Sequence, residues 1–343
     1  MSRPVDLAIF DFDNTLTDSV AIWVGGAIPC IKTLENALNR DQDHILSLMR
    51  LTPKQFLFSD IGAAVEWLDR NGHLPPAATL QEQYQRRVLK DHIHYRWKRR
   101  EKDLTVFYPG VMETLTHLKN NKTPAVINTD AEATTLIRRL WFAARNATRD
   151  NPSLDPHDIL DLFSHFYAQP SNDRDEQYLH HLDLSFVLKM KQKMTIWHKQ
   201  DRKPCPDHSL IICNDHSTLP SRAIMVGDNH KDGGCARPVG MDFVWFEGGT
   251  IHDPEGLDIV EKICDPGHPV GTASIRSRFD EDCFPHHSMI DFSDLISLYD
   301  YRPGSPCRES EDPACRAFRM SRTFDAPGKN PSTGPCTFIP KSP

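Results

Sequence analysis

Two aspartates one residue apart, Asp11 and Asp13, close an apolar run in AIFDFDNTLTDS (8–19). Carboxylates this close repel each other unless a cation sits nearby. The pair therefore marks either a solvated turn or helix cap, or a site built around positive charge. Three later segments place polar groups in a similar way: Thr129 in VINTD (126–130), Lys203 in KPCPD (203–207), and Asp228 with Asp232 in MVGDNHKD (225–232). Asp11, with Asp228 from a second strand, can hold Mg²⁺, a hard ion that takes oxygen ligands and keeps several waters. Thr129 offers a hydroxyl and nearby backbone N–H groups, and Lys203 a point charge.

Elements able to carry these residues alternate along the chain. VDLAIF (5–10) has the continuous apolar character of a strand covered on both faces. Residues 19–105 are mainly helical in pattern, punctuated by Gly72 and Pro75–Pro76, with Asp18 or Ser19 as the first N-cap. Then strand and helix patterns alternate: helix in 108–122, strand in 124–131, helix from Thr134, strand in 162–169, a helix opened by Pro206, strand from Ser221, strand in 240–249, and a short strand and helix in 287–300. This order predicts an α/β fold with a doubly wound parallel sheet, in which sites form at the carboxyl ends of the strands. Gly227 is expected to permit the turn that presents Asp228. Residues 170–200, charged and rich in lysine, and 250–286, rich in Pro, Gly, Asp and His, fit the rhythm poorly and are expected to be insertions. Residues 301–343 hold few large apolar groups and are expected to be a disordered tail.

The bulk properties narrow the function. In 343 residues the formal net charge is −7, which argues against a dedicated nucleic-acid binder. The basic run YRWKRREK (95–102) is expected to be a solvated helix end. The longest apolar run, 20–31, is too short to span a bilayer and contains Gly25, Gly26 and Pro29. The glycine pair serves either helix packing or a cavity wall. The nine scattered cysteines form no CxxC pair and are expected to be reduced thiols of a cytoplasmic protein. The pairs His180–His181 and His286–His287 lack partners at metal-finger spacing.

DFDNTLTDS, VINTD, KPCPD and MVGDNHKD, in this order, resemble the haloacid dehalogenase-like (HAD) superfamily of phosphohydrolases. YPGV before the second motif and GCARPVGM after the fourth strengthen the likeness, which spans roughly residues 5–250. The resemblance implies a Rossmann-like core, residues 1–18 and 106–300, with a helical cap inserted at 19–105. It implies an Mg²⁺-dependent phosphomonoester hydrolase acting on a small phosphorylated metabolite, similar to phosphoglycolate phosphatases. Asp11 is then the nucleophile that forms an aspartyl-phosphate, and Asp13 the acid and later the base. Thr129 and Lys203 bind the phosphoryl group, and Asp11, the Asp13 carbonyl, Asp228 and Asp232 attend the metal. Alternatives are a phosphomutase, a phosphonate-cleaving enzyme using Lys32 or Lys54 as a Schiff base, and an idle HAD-like binding module. Neither the oligomeric state nor the natural substrate is set by these residues.

Overall fold

Strand residues of alternate parity enter two different apolar clusters, and this fixes the architecture. In the computed structural model, which describes residues 3–52, 61–171, 176–198, 202–247 and 279–301, β1 is Pro4–Val5 and β2 is Leu7–Phe10. Ala8 and Phe10 join one cluster with Ile127, Phe166, Val226 and Val244. Leu7 and Ile9 join the other with Val126, Tyr167, Met225 and Phe243. Both sheet faces are thus buried, as the unbroken apolar runs require.

The main sheet has seven parallel strands in the order β5-β4-β3-β2-β6-β7-β8. Beyond β2 these are β3 Ala125–Glu132, β4 His165–Gln169, β5 Met194–Ile196, β6 Ala223–Gly227, β7 Asp242–Phe246 and β8 His287–Met289. Successive strands add outward from β2 in both directions, so the order reverses there. The crevice at the carboxyl ends of β2, β3 and β6 is the natural site position. A separate parallel pair joins β1 to β9, Asp300–Tyr301.

Among the described residues after β2 are α1 Ser19–Leu38, α2 Gln42–Leu51, α3 Ile61–Arg70 and α4 Leu80–Leu104. Asp18 caps α1 by accepting the Ala21 N–H, and Thr79 with Glu82 forms a capping box on α4. These helices enclose their own apolar cluster, including Ile31, Leu34, Ile45, Met49, Val65, Leu68, Ile93 and Trp97. Gly25 and Gly26 serve the packing of α1 on α4. A Cβ at Gly26 would lie 2.7 Å from the Trp97 ring, and one at Gly25 would lie 2.3 Å from Leu104.

On the sheet, α5 Val111–Asn120, α6 Ala133–Asp150 and α7 Pro156–Leu160 cover one face. Helices α9 Pro206–Asp215 and α10 His230–Ala236 cover the other. Pro206 occupies the first turn of α9 as expected. Cys213 and Cys235 are free, buried thiols, and Cys30, Cys205 and Cys283 are buried as well.

The stretch 170–200 differs from its expectation where it is described. Helix α8, Leu184–Gln192, buries Phe186, Val187 and Met190, and β5 adds an edge strand to β4. A three-residue strand is too short to show a period, and the lysine-rich run just before it hid it. Its lysines sit on the solvent face: Lys189 and Lys193 pair with Asp161, and Lys191 with Glu176. Of the second expected insertion, 248–278 lies outside the described residues. Phe279 packs on Phe243 and Trp245. Tyr301 is buried within β9, and the remainder of the expected tail, 302–343, lies outside the described residues. Among the described residues no helix is long and apolar enough to cross a membrane.

Gly26→Val is expected to lower unfolding free energy by about 1–3 kcal/mol, since the buried Trp97 ring must move. Urea denaturation of the two proteins checks this.

Candidate active site

Asp11 and Asp228 stand one residue past the carboxyl ends of β2 and β6, Thr129 lies within β3, and Asp232 lies in the first turn of α10. The Asp11 N–H donates to Val226 O at 2.9 Å, continuing the β2–β6 ladder by one residue. The chain then leaves the sheet in a tight turn. Asn14 adopts φ 59°, a left-handed conformation that asparagine tolerates, and its N–H donates to Thr17 O. Lys203 reaches the crevice from the loop before α9, where its backbone N–H donates to Asp130 Oδ1 at 3.0 Å, just past Thr129 on β3.

The buried Lys203 ammonium is the centre of the arrangement. It donates to Asp11 Oδ1 at 2.5 Å and to Asp232 Oδ1 at 2.7 Å. Asp11, Asp228 and Asp232 present carboxylate oxygens within 4.8 Å of one another. Burial, then repulsion from Asp232 and Asp228, pushes the Asp11 carboxyl well above its usual range even against the lysine. Burial, then the Asp232 charge, pushes Asp228 up to about 7. Burial works to lower Lys203, but Asp11 and Asp232 outweigh it and hold the ammonium well above its ordinary value. Asp232 is fully buried, and its Oδ2 has no hydrogen-bond partner. Three carboxylates against one ammonium leave two uncompensated negative charges. At 4 Å each like-charge contact costs about 4 kcal/mol at the effective dielectric of a protein site. Hard oxygens, an unpartnered buried oxygen and a two-charge deficit together fit a divalent cation.

Gly227 matters for space and not for conformation. Its φ is not left-handed, but a Cβ there would lie 2.3 Å from the Asp232 carboxylate. Trp245 Nε1 donates to the Asp228 carbonyl at 2.9 Å, and Asn229 Nδ2 donates to Asp228 Oδ1 at 2.5 Å. Thr129 is buried, and its hydroxyl oxygen accepts the Ala131 N–H at 3.1 Å.

The Asp13 carboxylate does not join the other three. Its Oδ1 accepts from Ser19 Oγ at 2.5 Å and from Arg139 Nη1 at 2.6 Å. Arg139 and Arg138, on α6, both bond Glu101 near the end of α4. The adjacent aspartates of the opening motif thus each have their own cation, Lys203 for one and Arg139 for the other. Sequence reasoning missed Ser19, Glu101, Arg138, Arg139, Asp130, Asn229 and Trp245. Two signals were present for the ion-pair cluster. Glu101 continues the buried row Ile93, Trp97 at intervals of four, and Arg138–Arg139 interrupts the apolar helix TTLIRRLWFAAR. The run 95–102, expected to be solvated, buries Trp97 and Glu101 while Tyr95, Arg99 and Arg100 stay exposed.

A family model for haloacid dehalogenase-like hydrolases matches residues 5–240. The chain belongs to this family. This hydrolase matches none of the curated proteins. Among solved structures it is similar to one described as a predicted phosphoglycolate phosphatase from Haemophilus somnus 129pt, at 16% identity, 86% of this chain, 97% of that one and a TM-score of 0.44. A HAD family hydrolase from Deinococcus radiodurans R1 with bound phosphate and sodium gives 17% identity, 85% and 93% coverage and a TM-score of 0.46. CbbY from Rhodobacter sphaeroides in complex with phosphate gives 14% identity, 85% and 96% coverage and a TM-score of 0.41.

Two predictions follow from the carboxylate cluster. If the Asp11, Asp228 and Asp232 cluster holds a divalent cation, Gly227→Ala is expected to weaken that binding by about 10–100-fold, the usual consequence of disturbing groups around a metal, as read by titration calorimetry. The Asp228 carboxyl rises from 3.8 to about 7 on folding, so the folded state holds its proton more tightly. Its contribution to metal-free stability is present below pH 3.8 and is lost as pH rises through about 7. Thermal melts with chelator should show this decline, and Mg²⁺ should reverse it.

Proposed function

We propose that this hydrolase is an Mg²⁺-dependent phosphomonoesterase acting on a small phosphorylated metabolite through an aspartyl-phosphate. The observation that carries this reading is the convergence of Lys203 with Asp11, Asp228 and Asp232 at the strand switch point, beside Thr129 and Asp13. Asp11 and Asp228 would hold the cation, with the Asp13 carbonyl and with Asp232 directly or through water. The cation would supply charge stabilisation for the phosphoryl oxygens.

Lys203 occupies Asp11 Oδ1, so Oδ2 is the oxygen offered to phosphorus. Its attack forms the Asp11–phosphorus bond and breaks the ester bond, and Asp13 gives its proton to the departing alkoxide oxygen. Asp13 then takes a proton from water, whose oxygen attacks phosphorus and releases phosphate with Asp11 restored. The Thr129 hydroxyl and Lys203 ammonium would hold the phosphoryl oxygens in place.

The helices α1–α4 form a layer with its own core beside the crevice, which suits a cap that excludes water and limits substrates to small molecules. A phosphonatase reading is less favoured: Lys32 is exposed on α1, and a Schiff-base lysine works best desolvated. Lys54 lies outside the described residues. The buried thiols of Cys213 and Cys235 suit a cytoplasmic setting.

Purified protein is expected to release phosphate from a panel of small monoesters with Mg²⁺, to stop with chelator, and to lose about 10⁴-fold or more of the rate in Asp11→Asn, since no alternative nucleophile stands in its place. Equal turnover by Asp11→Asn would refute the aspartyl-phosphate.

A further inference from the structure

We propose that Arg139 is the positioning residue for Asp13, and that Glu101, carried by α4, fixes Arg139. The inference rests on the reading of Asp13 as the proton carrier. Glu101 is fully buried and already receives a complete fork from Arg138: Nε donates to Oε2 and Nη2 to Oε1, both at 2.9 Å. That pair is electrically closed without Arg139. Yet Arg139 is also buried, donates its Nε to Glu101 Oε1 at 3.2 Å, and extends Nη1 to Asp13 Oδ1 at 2.6 Å.

A second buried guanidinium needs a second acceptor, and Asp13 Oδ1 is that acceptor, which fixes one oxygen of the group and leaves the other for the proton it carries. The Asp13 side chain is 30% exposed, so Ser19 alone would leave it free to turn. Arg139 bridges two acids with different nitrogens of one rigid plane, which ties the Asp13 carboxylate to α6 and α4. An ammonium, being a point charge, cannot span both.

The test compares kcat/KM for two esters, in wild type, Asp13→Asn, Arg139→Lys, Glu101→Gln and the Glu101→Gln/Arg139→Lys double variant, all with Mg²⁺. One ester is p-nitrophenyl phosphate, whose leaving group departs without a proton. The other is glycerol phosphate, whose alkoxide needs one. Because kcat/KM reports steps up to leaving-group departure, a misplaced acid slows the alkyl ester selectively. Asp13→Asn should show this selectivity most strongly, within the range of about 10²–10⁴-fold that general acids supply. Arg139→Lys and Glu101→Gln should show it at about tenfold or more, with the double variant no worse than Arg139→Lys alone.

Selectivity in Asp13→Asn but not in Arg139→Lys would overturn the role of Arg139 while leaving the function intact. Additive losses in the double variant would overturn the route through Glu101. No selectivity in Asp13→Asn, or no turnover of either ester by wild type, would remove the acid role of Asp13 and the proposal with it. Should Arg139→Lys fail to fold, Arg139→Gln carries the same readout.

Discussion

A single buried ammonium between carboxylates from two strand ends organises this site. Lys203 touches Asp11, which continues β2, and Asp232, which lies in the helix after β6. Neither carboxylate tolerates that depth alone, and neither would Lys203, since an isolated buried ion loses several kcal/mol of hydration. The mutual dependence fixes positions across the centre of the sheet. It also leaves the cluster short of positive charge, because Asp228 crowds the same space. The fold therefore builds a place where a further cation is electrostatically demanded.

The neighbouring charge problem is solved by different means. Asp13 sits two residues beyond Asp11, yet its carboxylate is drawn to Arg139, which Glu101 secures from another layer. Burial raises the Glu101 carboxyl, but Arg138, Lys98 and Arg139 outweigh it and hold the group far below its usual range. Ionised at every physiological pH, it is a constant anchor for the guanidiniums. One carboxylate of the opening motif thus faces a cluster short of positive charge and the other a cluster rich in it, a division that suits groups asked to do different chemistry.

Much of this was legible in the chain. Continuous apolar strands, a proline at the first turn of α9 and polar residues after strands were enough to give parallel order and to bring Asp11 and Asp228 to neighbouring strand ends, whereas Lys203, expected at a strand end, reaches them from the loop before α9. What escaped were residues whose meaning depends on distant partners. Glu101 looks like one more charge in YRWKRREK until Trp97 beside it is seen to be buried. Arg138 and Arg139 look like a solvated interruption until their common anion is found. Gly227 looked like a conformational glycine, but what it provides is room for the Asp232 carboxylate. Edge strand β5 escaped for a local reason: three residues are too few to show alternation, and the lysine-rich end of α8 runs straight into them.

The small sheet of β1 and β9 has a consequence for handling the molecule. Val5 pairs with Tyr301 just ahead of β2, so the first and last described segments meet at the amino-terminal edge of the main sheet. The crevice opens at the opposite edge, past Phe10 and Gly227. An affinity tag, surface tether or fused protein joined to the chain ahead of Pro4 therefore begins its path on the far side of the sheet. Immobilisation through that pole would leave the mouth of the crevice facing solvent.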